Sequence, residues 1–130
     1  MKTQLITLSK IGAIIALVLG TIHIGFTPVV IKSIATFDPA FKGTFLFMYE
    51  SAGLLLWLAG IVMLIVSGRE SVKLIVSDHI YLVCAAFMLL IGIGAPVAMN
   101  NNPFGYVSLI IGVYVMAVAL LRYKNLEKRF

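Results

Sequence analysis

The stretch Gly43–Gly68, GTFLFMYESAGLLLWLAGIVMLIVSG, decides the fold. It exceeds the roughly 20 residues that an α-helix needs to cross a hydrocarbon core about 30 Å thick, and its one charged residue is Glu50. Three further apolar runs follow the same rule: Ile11–Ile31, Ile80–Met99 and Phe104–Leu121. A transmembrane barrel would show segments of about ten residues alternating apolar and polar positions. Nothing in this chain alternates in that way. With 62% hydrophobic and 12% charged residues, the 130-residue chain lacks the polar surface a soluble domain of its size presents to water. The expected fold is all-α and integral to a membrane: an antiparallel bundle of four transmembrane helices forming a single domain over residues 1–130.

The charges orient that bundle. If the helices alternate in direction, Lys2, Lys10, Arg69, Lys73, Arg122, Lys124, Lys128 and Arg129 share one side, and only Lys32 and Lys42 fall on the other. By the positive-inside rule both termini are expected in the cytoplasm. The net charge of +5 then calls for no nucleic-acid partner. The basic tail from Arg122 to Arg129 is expected to lie at anionic lipid. Lys2 and Lys10 ahead of an apolar run imitate a secretory signal, but no small-x-small cleavage site follows, so the run is expected to stay as a first helix. Cys84 stands alone, which leaves it a packing role.

Short polar connections separate the runs. Ser33–Lys42 contains Asp38-Pro39, and Asn100-Asn101-Asn102-Pro103 makes a tight turn between the third and fourth helices. Gly68 suits the end of the second helix. The third is expected to start near Ser71 or at Ser77, and in the latter case Asp78 sits in a solvated first turn, where the exposed amides favour a carboxylate. Tyr49, Tyr81, Tyr106 and Tyr123 near helix ends suit an aromatic belt, while Tyr114 lies deeper and is placed to bond within the bundle.

Helices associate in lipid through small residues and polar contacts. The first run offers Gly12, Ala16 and Gly20 one turn apart, and the same face extended reaches His23 and Thr27. In the second run Gly53, Trp57 and Ile61 follow Glu50 on nearly one face, so Glu50 is expected to face protein. Gly105 and Gly112 give the fourth helix a comparable seam. Counted from Lys32 and Lys42, His23 and Glu50 each lie on the order of 12 to 14 Å inward from the same boundary. Antiparallel neighbours would bring them level, and two ionisable groups at that depth are expected to pair, because either alone costs roughly 3 kcal/mol or more. Pro28 frees the carbonyl of Ile24 and is expected to kink the helix there.

The candidate ligand-binding or proton-coupling residues are therefore His23, Glu50, Thr27 and Trp57. Purely structural readings stay open beside this: a backbone hydrogen bond for His23, an interfacial position for Glu50, core packing for Trp57. No cofactor and no metal site is expected. The two histidines lie at different depths, His79 about 9 Å from Lys73 and His23 about 20 Å from Lys10, which argues against a shared haem. Dithiol, phosphate-loop and serine-histidine-acid arrangements do not occur.

The segments GTIHIGFTPVV, FMYESAGLLLWLAGIVML and NNNPFGYVSLIIG resemble small bacterial four-helix membrane proteins of the DoxX-like kind. The resemblance covers nearly the whole chain and implies a multi-pass protein of the bacterial inner membrane. No quinone-site motif matches, so redox activity is not carried over. Small multidrug transporters share the size and helix count but place their acid in the first helix. Three functions are expected in turn: binding or transport of a small lipophilic ligand through a protonatable intramembrane pocket, a membrane-embedded redox or lipid-modifying enzyme subunit, or a structural partner of another copy or another membrane protein.

Overall fold

The computed structural model describes residues 2–68, 74–98 and 103–127. The turn at Asn100–Asn102 and the charges of Arg69, Lys73, Lys128 and Arg129 lie outside the described residues. Among the described residues the chain forms five α-helices: α1 Lys2–Gly25, α2 Thr27–Ser33, α3 Pro39–Ser67, α4 Leu74–Ala98 and α5 Pro103–Glu127. Four of them are long and apolar enough to cross a membrane. A helix satisfies its own backbone donors and acceptors, which lipid cannot do.

Local chemistry explains the element boundaries. Asp38 caps α3 by accepting the amide of Ala40 at 3.0 Å, and Pro39 occupies the first turn, where a missing N–H costs nothing. Gly68 follows the last turn of α3. The first apolar run is not one helix. Pro28 stands in the first turn of α2, and the amide of Val29 goes to the carbonyl of Phe26 at 2.9 Å instead of that of Gly25. The expected kink is thus a break at Phe26. Pro96, by contrast, is carried inside α4.

Two intimate helix pairs build the body, α1 with α3 and α4 with α5. Their contact lines follow steps of four and three residues: Tyr49, Gly53, Leu56, Gly60, Met63 and Ser67 on α3, and Tyr81, Ala85, Met88 and Gly92 on α4. Backbones touch where glycine permits it. A Cβ on Gly20 would lie 2.9 Å from the amide nitrogen of Trp57, and one on Gly112 would lie 2.9 Å from the Cα of Leu89. Along α4 and α5 the contacts march away from the 99–102 connection in both directions. Gly105 meets Pro96, Gly92 meets Ser108, Gly112 meets Leu89, and Arg122 meets Asp78. Between the pairs lies a core of Ala13, Ala16, Leu56, Met63, Ala85, Met88, Val115 and Ala119, with Cys84 packed at its margin.

Candidate functional site

Polar side chains gather at two levels, named inner around Asp78 and Arg122 and outer at the α1–α2 break after the orientation expected from the charges. The inner level joins all four long helices. Arg122, 6% exposed, donates from Nε to Asp78 Oδ1 at 2.7 Å, and its Nη2 makes a long contact to the carbonyl of Val66 at 3.4 Å. The guanidinium lies over the Tyr81 ring, 4.8 Å from its centroid, and the Tyr81 hydroxyl donates to the carbonyl of Ser9 at 3.1 Å. Tyr114 donates to the carbonyl of Leu8 at 3.2 Å, as its depth suggested. Three expectations are corrected here. Asp78 is not a solvated helix start, Arg122 is not part of a lipid-facing tail, and Tyr81 is fully buried instead of sitting in an aromatic belt. The physical reason is register: Asp78 and Arg122 are equally far from Asn100 along the chain, so helices that fold back on each other bring them level. A buried ion of either sign needs that partner.

The outer level is assembled at the helix break. His23 Nε2 donates to the carbonyl of Tyr49 at 3.0 Å, and the Tyr49 hydroxyl donates back to the carbonyl of His23 at 2.7 Å. The two rings stack with centroids 4.0 Å apart and planes at 21°. Because a carbonyl only accepts, this bond fixes the proton on Nε2 and leaves Nδ1 as the acceptor of the neutral ring. The break makes the exchange possible. In an unbroken helix the carbonyl of His23 would bond the amide of Thr27, whereas here it receives the Tyr49 hydroxyl and, at 3.3 Å, a share of the Phe26 amide that also bonds the carbonyl of Ile22 at 3.0 Å. Gly53 lets the histidine approach, since a Cβ there would stand 3.0 Å from His23 Cδ2.

The sequence-derived candidates part company at this level. His23 and Thr27 flank the break. Thr27 Oγ1 is shielded from solvent and has no hydrogen-bond partner. Glu50 does not face His23: it is exposed and makes no hydrogen bond or ion pair among the described residues. Trp57 is 45% exposed, and its backbone lies against Gly20. Helical geometry explains both outcomes. The stripe running from Tyr49 through Gly53 and Gly60 to Ser67 is the face that packs, and positions 50 and 57 each fall about a quarter-turn away from it. Extending the glycine stripe outward would have identified Tyr49, the residue that sequence reasoning assigned only to a belt. Among the described residues no three His, Cys, Asp or Glu side chains converge as metal ligands would.

The Gly12-Ala16-Gly20 stripe is buried within the chain itself. Gly12 meets the Tyr81 hydroxyl and Val115, Ala16 is fully buried, and Gly20 meets α3. No family model, no curated protein and no solved structure matches the chain.

Proposed function

We propose that the chain is a multi-pass protein of the bacterial inner membrane that binds a small lipophilic ligand in the outer-leaflet half of an antiparallel four-helix bundle, both termini being cytoplasmic. The contact order along α4 and α5 supports the antiparallel arrangement. The charges support the orientation, with Lys10 and Lys124 at the level of the buried ion pair and Lys32 and Lys42 at the other end.

The observation that carries the binding reading is the Thr27 hydroxyl, shielded and without a hydrogen bond beside the His23–Tyr49 exchange. A shielded hydroxyl without a partner costs about 1 to 3 kcal/mol, and a ligand head that accepts from it or donates to it removes that cost. Glu50 stands at the rim of the same site. From Ser67 to Glu50 the helix rises about 25 Å, so a core about 30 Å thick whose inner edge lies at the buried ion pair places Glu50 about 5 Å below the outer boundary. That is shallower than the count from Lys42 suggested. An exposed carboxylate there attracts a cationic head while the tail lies along the helix among lipids. The glycine seams are already filled within the chain, which favours a ligand over a docked partner.

The single tryptophan reports on the site, because Trp57 lies two turns from Glu50 on nearly the same azimuth. Full-length protein in nanodiscs is titrated with dodecylamine and followed by tryptophan fluorescence. The expected result is a saturable change that Glu50→Gln abolishes and Thr27→Val weakens. An identical, non-saturating response from all three proteins sinks the proposal, and an equal response to dodecanol removes the carboxylate from it.

A further inference from the structure

Five hydroxyls on these helices share a habit. Ser9, Thr21, Ser33, Thr44 and Ser67 each donate to the carbonyl four residues earlier, at distances from 2.6 to 3.1 Å. Thr27 departs from it. The carbonyl four residues before Thr27 belongs to His23; it accepts the Tyr49 hydroxyl at 2.7 Å and a share of the Phe26 amide at 3.3 Å, an amide whose nearer partner is the carbonyl of Ile22 at 3.0 Å. An unbroken helix would offer that same carbonyl to the amide of Thr27 and, by the habit of its neighbours, to the Thr27 hydroxyl as well.

We infer that the α1–α2 break is a two-state hinge in which Tyr49 and Thr27 compete for the carbonyl of His23. In the broken form Tyr49 holds the carbonyl and the Thr27 hydroxyl goes without. In the closed form α1 and α2 run on as one proline-kinked helix, Thr27 regains the carbonyl, and the Tyr49 hydroxyl is released. Pro28 does not forbid the closed form, because it removes the donor to Ile24 and leaves the amide of Thr27 intact. Pro96 sits within α4 without ending it. The two forms are closely balanced for a physical reason. Each leaves one hydroxyl without its partner, the clash of the Pro28 ring with the carbonyl of Ile24 in a continuous helix favours the break, and the recovered helical bond favours closure. A ligand head on the Thr27 hydroxyl relieves the one defect of the broken form, so binding selects that form. This last consequence rests on the proposed function, whereas the hinge rests on the hydrogen bonds alone.

The test uses full-length protein in nanodiscs, with Cys84→Ser as background and nitroxides at positions 14 and 31. Ile14 and Ile31 are 51% and 41% exposed and lie on either side of the break. A continuous helix separates their backbones by about 25 Å, and any bend shortens that distance. Pulsed dipolar spectroscopy without added ligand is expected to find the longer distance enriched about fivefold in Tyr49→Phe, the worth of one net hydrogen bond, and depleted in Thr27→Val. Thr27→Ser, which keeps the hydroxyl, should behave as the parent. Should Tyr49→Phe not fold, Thr27→Val against Thr27→Ser decides alone. Distances indifferent to all three substitutions, or shifted the same way by Tyr49→Phe and Thr27→Val, overturn the hinge. A hinge that responds while dodecylamine fails to bind overturns the proposed function and leaves the hinge standing.

Discussion

The two polar levels obey opposite rules. At the inner level the buried charges are matched: Asp78 has Arg122, the guanidinium lies over Tyr81, and the Tyr81 hydroxyl reaches Ser9. At the outer level one hydroxyl goes without a bond, one carboxylate is exposed, and a helix is broken. Complete satisfaction in a buried place marks a fastening. Its absence where a helix is interrupted is the feature on which the proposed ligand binding rests.

Substitutions at the inner level should therefore act on stability, and those at the outer level on occupancy. The largest effect is expected for Arg122→Ala, which leaves Asp78 buried without a counter-charge and lowers stability by about 3 to 5 kcal/mol. Unfolding in detergent measures it, and the double replacement Asp78→Leu with Arg122→Met should recover most of the loss because no lone charge remains. An undiminished stability in the single variant would mean that the pair does not fasten the helices. Next comes Gly20→Val, whose added carbons meet the backbone of Trp57 and Gly53 and should cost about 1 to 3 kcal/mol by forcing α1 away from α3. The same assay should find it milder than Arg122→Ala. The smallest effect belongs to Glu50→Gln, expected to change stability by no more than about 0.5 kcal/mol, since the side chain is exposed and makes no bond among the described residues. A large loss there would erase the contrast between the two levels.

Much of this architecture was legible before any coordinates. Apolar length alone located four helices long enough to cross a membrane, and Asp38-Pro39, Gly68 and Pro28 marked real boundaries. The helices nonetheless outrun their apolar cores. α3 begins at Pro39 and α4 at Leu74, because backbone hydrogen bonding continues past the last apolar residue. The candidate site was half legible. His23 and Thr27 were found by extending the small-residue stripe of the first helix, and that method works because close packing selects one face. Glu50 and Trp57 were placed on one face with Gly53 and Ile61, but the face that packs runs through Tyr49, Gly53 and Gly60, about a quarter-turn from both residues. The inner ion pair escaped because Asp78 and Arg122 each have an ordinary explanation near a helix end. Only their equal separation from the turn, together with their opposite charges, distinguishes them.

That symmetric placement bears on biosynthesis. A ribosome delivers Asp78 long before Arg122, so during synthesis the acid enters the translocation channel without its base. The last two helices consequently gain from entering the bilayer side by side as one hairpin, each masking the other's charge. A nascent chain halted before position 122 holds a segment whose carboxylate has every reason to slip back into water.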